Sequence, residues 1–253
     1  MIAAMAAPRE VVGKAAGVGR WLGVGGRRAT LAGEVVVISP HLDDGPFSLG
    51  AALSWAARAG ANVTVLTVLA GDPESDLPAG EWDLRAGFRS EGEAATARRA
   101  EDAEACRLLG VEARWLPFGD HQYDRHGSDD EIRAVVVEAS GEGLVLLPGF
   151  PLLHPDHRWL YALFADAFDP ARVGFYVEQP YAAYSTDRPG VGQTEGPVLP
   201  VEHWKPLRAG LFDQRRKRAA CQAYRSQLPQ LGEIYSPIVR YELRAGGESA
   251  VLP

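Results

Sequence analysis

Two short stretches of the chain carry the residue types that metal-assisted chemistry needs. His41-Leu42-Asp43-Asp44 and His154-Pro155-Asp156-His157 each place His and Asp within four residues. Two neutral imidazoles and a carboxylate, with a fourth position open to water, are a ligand set of hydrolytic zinc centres. His41 and Asp44 stand three apart in a turn, so both can face one point, and His157 can supply the third ligand. His157 falls in the first turn of a helix. The positive end of the helix dipole disfavours imidazolium there and keeps the ring able to ligate. Asp43 and His154 are then left over. Asp43 is placed to take a proton from a water at such a centre. His154 is placed to stabilise or protonate the other side of the reacting group, with Asp156 to orient it. Each residue alone also has a plainer reading. Asp44 ahead of Gly45-Pro46 is a helix N-cap, and His154 or Asp156 caps the helix that opens near Pro155. Capping does not account for two His/Asp turns together, both at strand ends.

Strands must aim those turns. Val35-Val36-Val37-Ile38 is a β-branched run of the kind buried on both faces of a parallel sheet, and it leads straight to His41. The spacing then predicts a helix with Pro46 in its first turn, Leu49, Leu53 and Ala56 on one face and Gly60 as its stop. A second strand follows over 63–69, and residues 70–90 form a polar loop. Next come a helix over Glu91–Leu109 closed by Gly110, a strand over 113–116 and a helix over 130–140. A strand over 144–147, a helix from Pro155 through Phe168 and a strand over Val173–Val177 complete the alternation. Residues 178–206 lack periodicity and read as a binding loop, and a basic helix over 207–226 ends the regular part. This order predicts an α/β protein: a Rossmann-like three-layer α/β/α fold with a mostly parallel sheet. Residues 1–253 read as a single domain with a lead-in over 1–30. In such sheets ligands bind beyond the carboxyl ends of the strands, where both His/Asp turns fall. The 70–90 and 178–206 loops are expected to wall that pocket.

Composition excludes several classes. The 253 residues hold 26 Lys and Arg against 33 Asp and Glu, a net charge of −7, so the basic surplus of a nucleic-acid binder is missing. No apolar run reaches the roughly 18 residues of a membrane span. Residues 1–33 lack the apolar core of a secretory signal. Cys106 and Cys221 lie too far apart for a disulfide framework or a thiolate zinc site, and a cytoplasmic protein is expected. The glycines at 17–26 lack the spacing and the preceding strand of a dinucleotide loop. Arg215-Arg216-Lys217-Arg218 reads as a solvated helix face. Trp82, Trp159, Tyr181 and Tyr184 are candidate sugar-stacking aromatics, and His121 and His126 read as surface residues within reach of a substrate.

Pro40-His41-Leu42-Asp43-Asp44 taken with His154-Pro155-Asp156-His157 resembles the PIG-L/LmbE family of zinc-dependent de-N-acetylases. Arg98-Arg99-Ala100-Glu101 looks like that family's Arg-x-x-Glu helix, and Tyr224-Arg225-Ser226-Gln227 like its Tyr-x-Ser-Gln segment. The resemblance implies zinc at His41, Asp44 and His157, with Asp43 as general base. It implies that His154 polarises the scissile carbonyl or stabilises the oxyanion, and that Arg98 and Asp120 touch a sugar. The implied substrate is an N-acylated amino sugar or glycoside. The chain departs from the family at Leu42, where many members have Pro, at Gly45-Pro46, and at Leu152, where some carry a tyrosine. Tyr123, Tyr181 and Tyr184 are the candidates for that tyrosine's role. Two alternatives stand beside the zinc hydrolase. Two His and a carboxylate also serve non-haem Fe(II) oxygenases, and the scaffold could carry a non-catalytic metal- or sugar-binding protein. The alternation of strands and helices weighs against the first, and the intact set of five residues against the second.

Overall fold

The computed structural model describes residues 28–183, 203–231 and 248–253. Strand β1 (Glu34–Ser39) is buried from its second residue onward because both its faces are covered. Val35 and Val37 pack with Leu49, Leu53 and Cys106 on one side. Val36 and Ile38 pack with Ile132, Leu160 and Phe164 on the other. Helices α1 (Asp44–Arg58) and α3 (Glu91–Leu109) supply the first side. Helices α4 (Asp129–Ala139) and α5 (Pro155–Phe164) supply the second. The three layers follow from that two-period alternation in β1.

The remaining strands are β2 (Asn62–Thr67), β3 (Glu112–Trp115), β4 (Leu144–Phe150), β5 (Val173–Val177), β6 (Lys205–Pro206) and β7 (Ser249–Val251). The sheet order is β3-β2-β1-β4-β5-β7-β6. The first five strands run parallel; β7 pairs antiparallel with both β5 and β6. This is the expected α/β/α fold with a mostly parallel sheet. From β1 the chain winds outward to β2 and β3, and from β4 it winds the opposite way to β5. The crevice beyond the carboxyl ends of β1 and β4 is therefore the topological switch point, where open α/β sheets bind ligands. Both His/Asp turns leave from these two strands.

Local signals set several boundaries. Ser90 caps α3 by accepting the Glu93 N–H, and Gly110 ends it in the left-handed region at φ 80°. Elsewhere long-range packing overrides the sequence pattern. The 70–90 loop contains a short helix, α2 (Glu81–Arg85). Helix α5 stops at Phe164 instead of Phe168. Helix α6 (Leu211–Cys221) is shorter than the expected 207–226, because Leu207 bridges Ala29 and residues after Cys221 turn so that Tyr224 reaches Asp102. The basic run in α6 is not a uniformly solvated face. Lys217 is 2% exposed and its ammonium lies 2.6 Å from the Glu248 carboxylate, while Arg216 donates to the Leu108 carbonyl. Strand β7, which carries no turn signal in the sequence, is held by the open edge of β5. Cys106 and Cys221 are both buried. Among the described residues no helix is long and apolar enough to cross a membrane. Most of the 1–30 lead-in, Tyr184 and residues up to 202 of the long loop lie outside the described residues.

Candidate active site

The turn after β1 is tied down by small groups. Ser39 Oγ donates to the His41 carbonyl at 2.6 Å and accepts the Gly45 N–H at 2.9 Å. A side chain at Gly45 would meet Val65 at 3.1 Å, which gives this departure from the family pattern a packing reason. Gln227 Nε2 donates to the Leu42 carbonyl, so the Tyr224–Gln227 segment braces the turn from behind. Ser226 does the same for Glu101 of α3, with two hydrogen bonds of 2.8 Å. Asp43 sits at φ 154°, a strained conformation for a residue with a side chain. Strain of this kind persists where the surroundings over-determine it, as they do at reactive sites.

Three ligating atoms converge at the switch point. Asp44 Oδ2 lies 3.1 Å from His41 Nδ1 and 3.1 Å from His157 Nε2, and the two nitrogens are 3.2 Å apart. The outer nitrogen of each ring ends on a second carboxylate: His41 Nε2 on Asp156 Oδ2 at 2.9 Å, and His157 Nδ1 on Glu178 Oε1. A carboxylate oxygen only accepts, so those outer nitrogens carry the protons in a neutral ring. The inner nitrogens are then lone pairs, facing each other and Asp44. Such a triangle repels itself unless a cation sits among its members. A tetrahedral ion with bonds of about 2.0–2.2 Å sets its donors about 3.3–3.6 Å apart, a few tenths of an ångström beyond the separations here, so this donor set fits zinc or a similar divalent metal. With protons alone at these nitrogens, burial opposes their charge, but Asp44 and Glu178 raise His157 to about 9. Burial likewise opposes charge on His41, which Asp156 and Asp44 raise well above the usual range. Asp44 is held far below the usual carboxylate range by His157 and His41, against burial.

Asp43 is buried beside this triangle. Burial, and then the Asp44 charge, push its carboxyl well above the ordinary range, against His41, Arg98 and His157. His154 caps α5: its Nδ1 accepts the Asp156 N–H at 3.2 Å, so a neutral ring carries its proton on Nε2. Burial, and then His41 and His157, lower its pKa to about 3. Asp156 meets His154 through this backbone N–H; its carboxylate, 3.8 Å from His154 Nδ1, gathers His41 Nε2, His121 Nδ1 at 3.1 Å and Arg125. His121 is thus tied to the site from the loop after β3. His126 bonds Glu91 at 3.0 Å. Glu178 was not singled out from the sequence. The available signal was an acid directly at the end of a buried parallel strand.

Arg98 and Asp120 line one pocket of about 30 Å³ that reaches Leu42, with Gly71 and Asp83 from the 70–90 segment in its wall. Arg98 is 8% exposed; its Nη1 pairs with Asp83 Oδ1 at 2.5 Å, while Nε and Nη2 have no hydrogen-bond partner among the described residues. Asp83 is fixed by the Tyr123 hydroxyl at 2.6 Å, and Asp120 by the Gln122 backbone N–H at 2.8 Å. The chain's sequence matches the family model of the GlcNAc-PI de-N-acetylases, PIG-L, over residues 36–168, a span that holds both His/Asp turns and Arg98.

The protein belongs to the PIG-L family. It is 31% identical over 175 residues to the 2'-N-acetylparomamine deacetylase of Streptomyces fradiae, a match covering 59% of this chain and 58% of that relative's length. A triple mutant of a deacetylase of the teicoplanin biosynthetic pathway is 29% identical with a TM-score of 0.70, covering 86% of this chain and 96% of that one. The A40926 pseudoaglycone deacetylase is 27% identical with a TM-score of 0.66, over 87% and 96%. This chain thus has deacetylase homologues that act on glycosylated natural products. In this PIG-L chain, position 152 serves through its backbone: the Leu152 N–H donates to Glu178 Oε2 at 2.7 Å. Of the three candidate tyrosines, Tyr123 is committed to Asp83 and Tyr184 lies outside the described residues. The Tyr181 ring stands 5.2 Å from that of His157 and 6.5 Å from that of His154.

Proposed function

We propose that this chain is a zinc-dependent hydrolase that removes an N-acyl group, acetyl in the first instance, from an amino sugar or glycosylated small molecule. One observation carries the reading: the His41, Asp44 and His157 triangle, with each imidazole backed by its own buried carboxylate. Outer-shell carboxylates of this kind fix the tautomer and raise the basicity of ligating histidines. A bound divalent ion would supply Lewis acidity and a water acidified toward neutrality.

The rest falls to the chain's own residues. Asp43, with its carboxyl raised by burial, is a stronger base than a free aspartate and takes the proton of the attacking water. It then returns that proton to the leaving amine. His154, neutral because its pKa is about 3, points an Nε2–H at the oxygen that gains charge. The unpaired side face of Arg98 and the fixed Asp120 carboxylate offer donors and an acceptor to sugar hydroxyls. The relatives' glycosylated substrates support that class. The scarcity of cysteine fits a cytoplasmic location, and residues 1–253 are read as one catalytic domain.

The test is direct. The purified, zinc-loaded chain is incubated with N-acetylated aminoglycosides and glycopeptide glycosides, and products are read by mass spectrometry. A loss of one acetyl group, absent in His157→Ala, is expected. Metal analysis finding iron and no zinc, or no acyl loss from any N-acylated sugar, would refute the proposal.

A further inference from the structure

Asp44, Ser48, Ala51 and Ala52 lie along one stripe of α1, because residues three or four apart in a helix share a face. That stripe is tied to the chain just beyond β5. Ser48 Oγ accepts the Gln179 N–H at 3.0 Å. One turn on, the Glu248 carboxylate accepts the N–H groups of Ala51 and Ala52 at 2.9 and 2.6 Å. Lys217 of α6 closes the circuit: its ammonium lies 2.6 Å from Glu248 Oε1 and donates to Gln179 Oε1 at 3.2 Å. All four side chains are buried, Lys217 at 2% exposure. The two helices touch at this level, since a side chain at Gly50 would meet Lys217 Cγ at 3.0 Å.

Gln179 follows Glu178 in the chain, and Glu178 orients the His157 ring. Asp44 opens α1. The network thus joins the helix that carries one corner of the ligand triangle to the segment that aims another. We propose that Lys217 is a positioning residue of this centre: with Glu248 and Gln179 it fixes how α1, and so Asp44, stands against His157. The proposal rests on the reading of His41, Asp44 and His157 as the metal ligands. A buried ion pair adds little net stability, and Met would fill the same space, so the arrangement that the pair fixes is what explains it. Apolar packing is non-directional and tolerates small slides, whereas a charged pair with a further acceptor admits one register. A triangle with sides of 3.1–3.2 Å leaves little room for a slide. A second clamp between α1 and α6 provides the contrast. Asp213 accepts from Arg58 Nε and Nη2 at 3.0 and 3.2 Å and from the Ser54 hydroxyl at 3.2 Å. It grips the far end of α1, about 15 Å from Asp44 at 1.5 Å per residue. Its partners Ser54, Arg58 and Gly210 stay clear of the segment after β5.

Zinc ion alone is the probe, on the full chain, by competition with a chromophoric chelator, while urea unfolding of the metal-free chain reads stability. Lys217→Met removes the ammonium and keeps the stem. It should bind zinc about 10-fold more weakly, the lower end of the scale for outer-shell partners. On an N-acetylated sugar it should lower kcat and leave KM unchanged, because the Arg98 pocket is untouched. Asp213→Asn is the control: it should lose stability too, yet bind zinc as wild type does. A merely structural clamp would cost both variants stability and neither of them zinc affinity. Glu248→Gln keeps the shape and loses the charge. It should weaken zinc binding in the same direction, and it carries the test if Lys217→Met does not fold. Wild-type zinc affinity in folded Lys217→Met or, failing that, in Glu248→Gln would overturn the proposal, as would an equal loss of affinity in Asp213→Asn. His157→Ala separates this failure from that of the underlying reading. If it still binds zinc tightly, the centre itself is misplaced. If it loses zinc while Lys217→Met keeps wild-type affinity, only the positioning role of Lys217 falls.

Discussion

His157 and Glu178 share a hydrogen bond wholly inside the protein, Nδ1–H to Oε1, with side chains 0% and 1% exposed. Glu178 also accepts the Leu152 N–H, so it is fixed from two sides and fixes the His157 ring in turn. Glu178→Gln is therefore expected to weaken zinc binding by about 10- to 100-fold while leaving the fold intact. A zinc competition titration against a chromophoric chelator measures it. Unchanged affinity would show that the tautomer of His157 is set by something else.

Asp43→Asn removes the raised carboxyl without changing its shape. Zinc content should stay at one tight equivalent, and turnover on an N-acetylated sugar should drop at least about 10²-fold, the scale of a general base. Loss of zinc instead would make Asp43 a ligand.

His154 provides a pH signature. Its folded-state pKa falls from the ordinary 6.5 to about 3. Between those values the unfolded chain binds a proton that the folded chain does not. This group's contribution to stability therefore rises with pH across that window and is constant below it. Its imidazole signals should show no titration between pH 5 and 8 by NMR, and His154→Gln should flatten the acid side of a stability-against-pH curve. His154→Ala should retain zinc yet lower kcat by about 10²–10³-fold, the scale of one oxyanion donor.

Arg98 is expected to act on substrate affinity. Arg98→Lys keeps a positive charge near Asp83 but loses the unpaired Nε and Nη2 face. KM should rise about 10- to 100-fold with zinc content unchanged, since a charge-assisted hydrogen bond is worth about 1.5–3 kcal/mol. An unchanged KM would mean that the unpaired face does not meet the substrate.

Much of the frame is legible in the chain itself, because its signals are local. The Val35–Ile38 run, the Ser90 and Gly110 caps of α3, and the three-residue spacing of His41 and Asp44 each act within a few residues of themselves. Proximity of the two His/Asp turns follows once strands and helices alternate, since both leave carboxyl ends of strands in one parallel sheet. The shape of β7, the burial of Lys217 against Glu248 and the Gln227 brace on Leu42 are not legible this way. Each joins segments far apart in sequence, and neither partner alone has an unusual residue type.

The two histidines show the division most clearly. Their presence and rough direction are properties of the sequence. Which nitrogen of each ring is left as a lone pair is decided only by what stands opposite the other nitrogen. For His41 that is Asp156, 115 positions along the chain, and for His157 it is Glu178 at the end of β5. Laying β1, β4 and β5 side by side brings those carboxylates to the rings. A proton's place on an imidazole follows the nearest acceptor in space, and sequence distance carries no information about that.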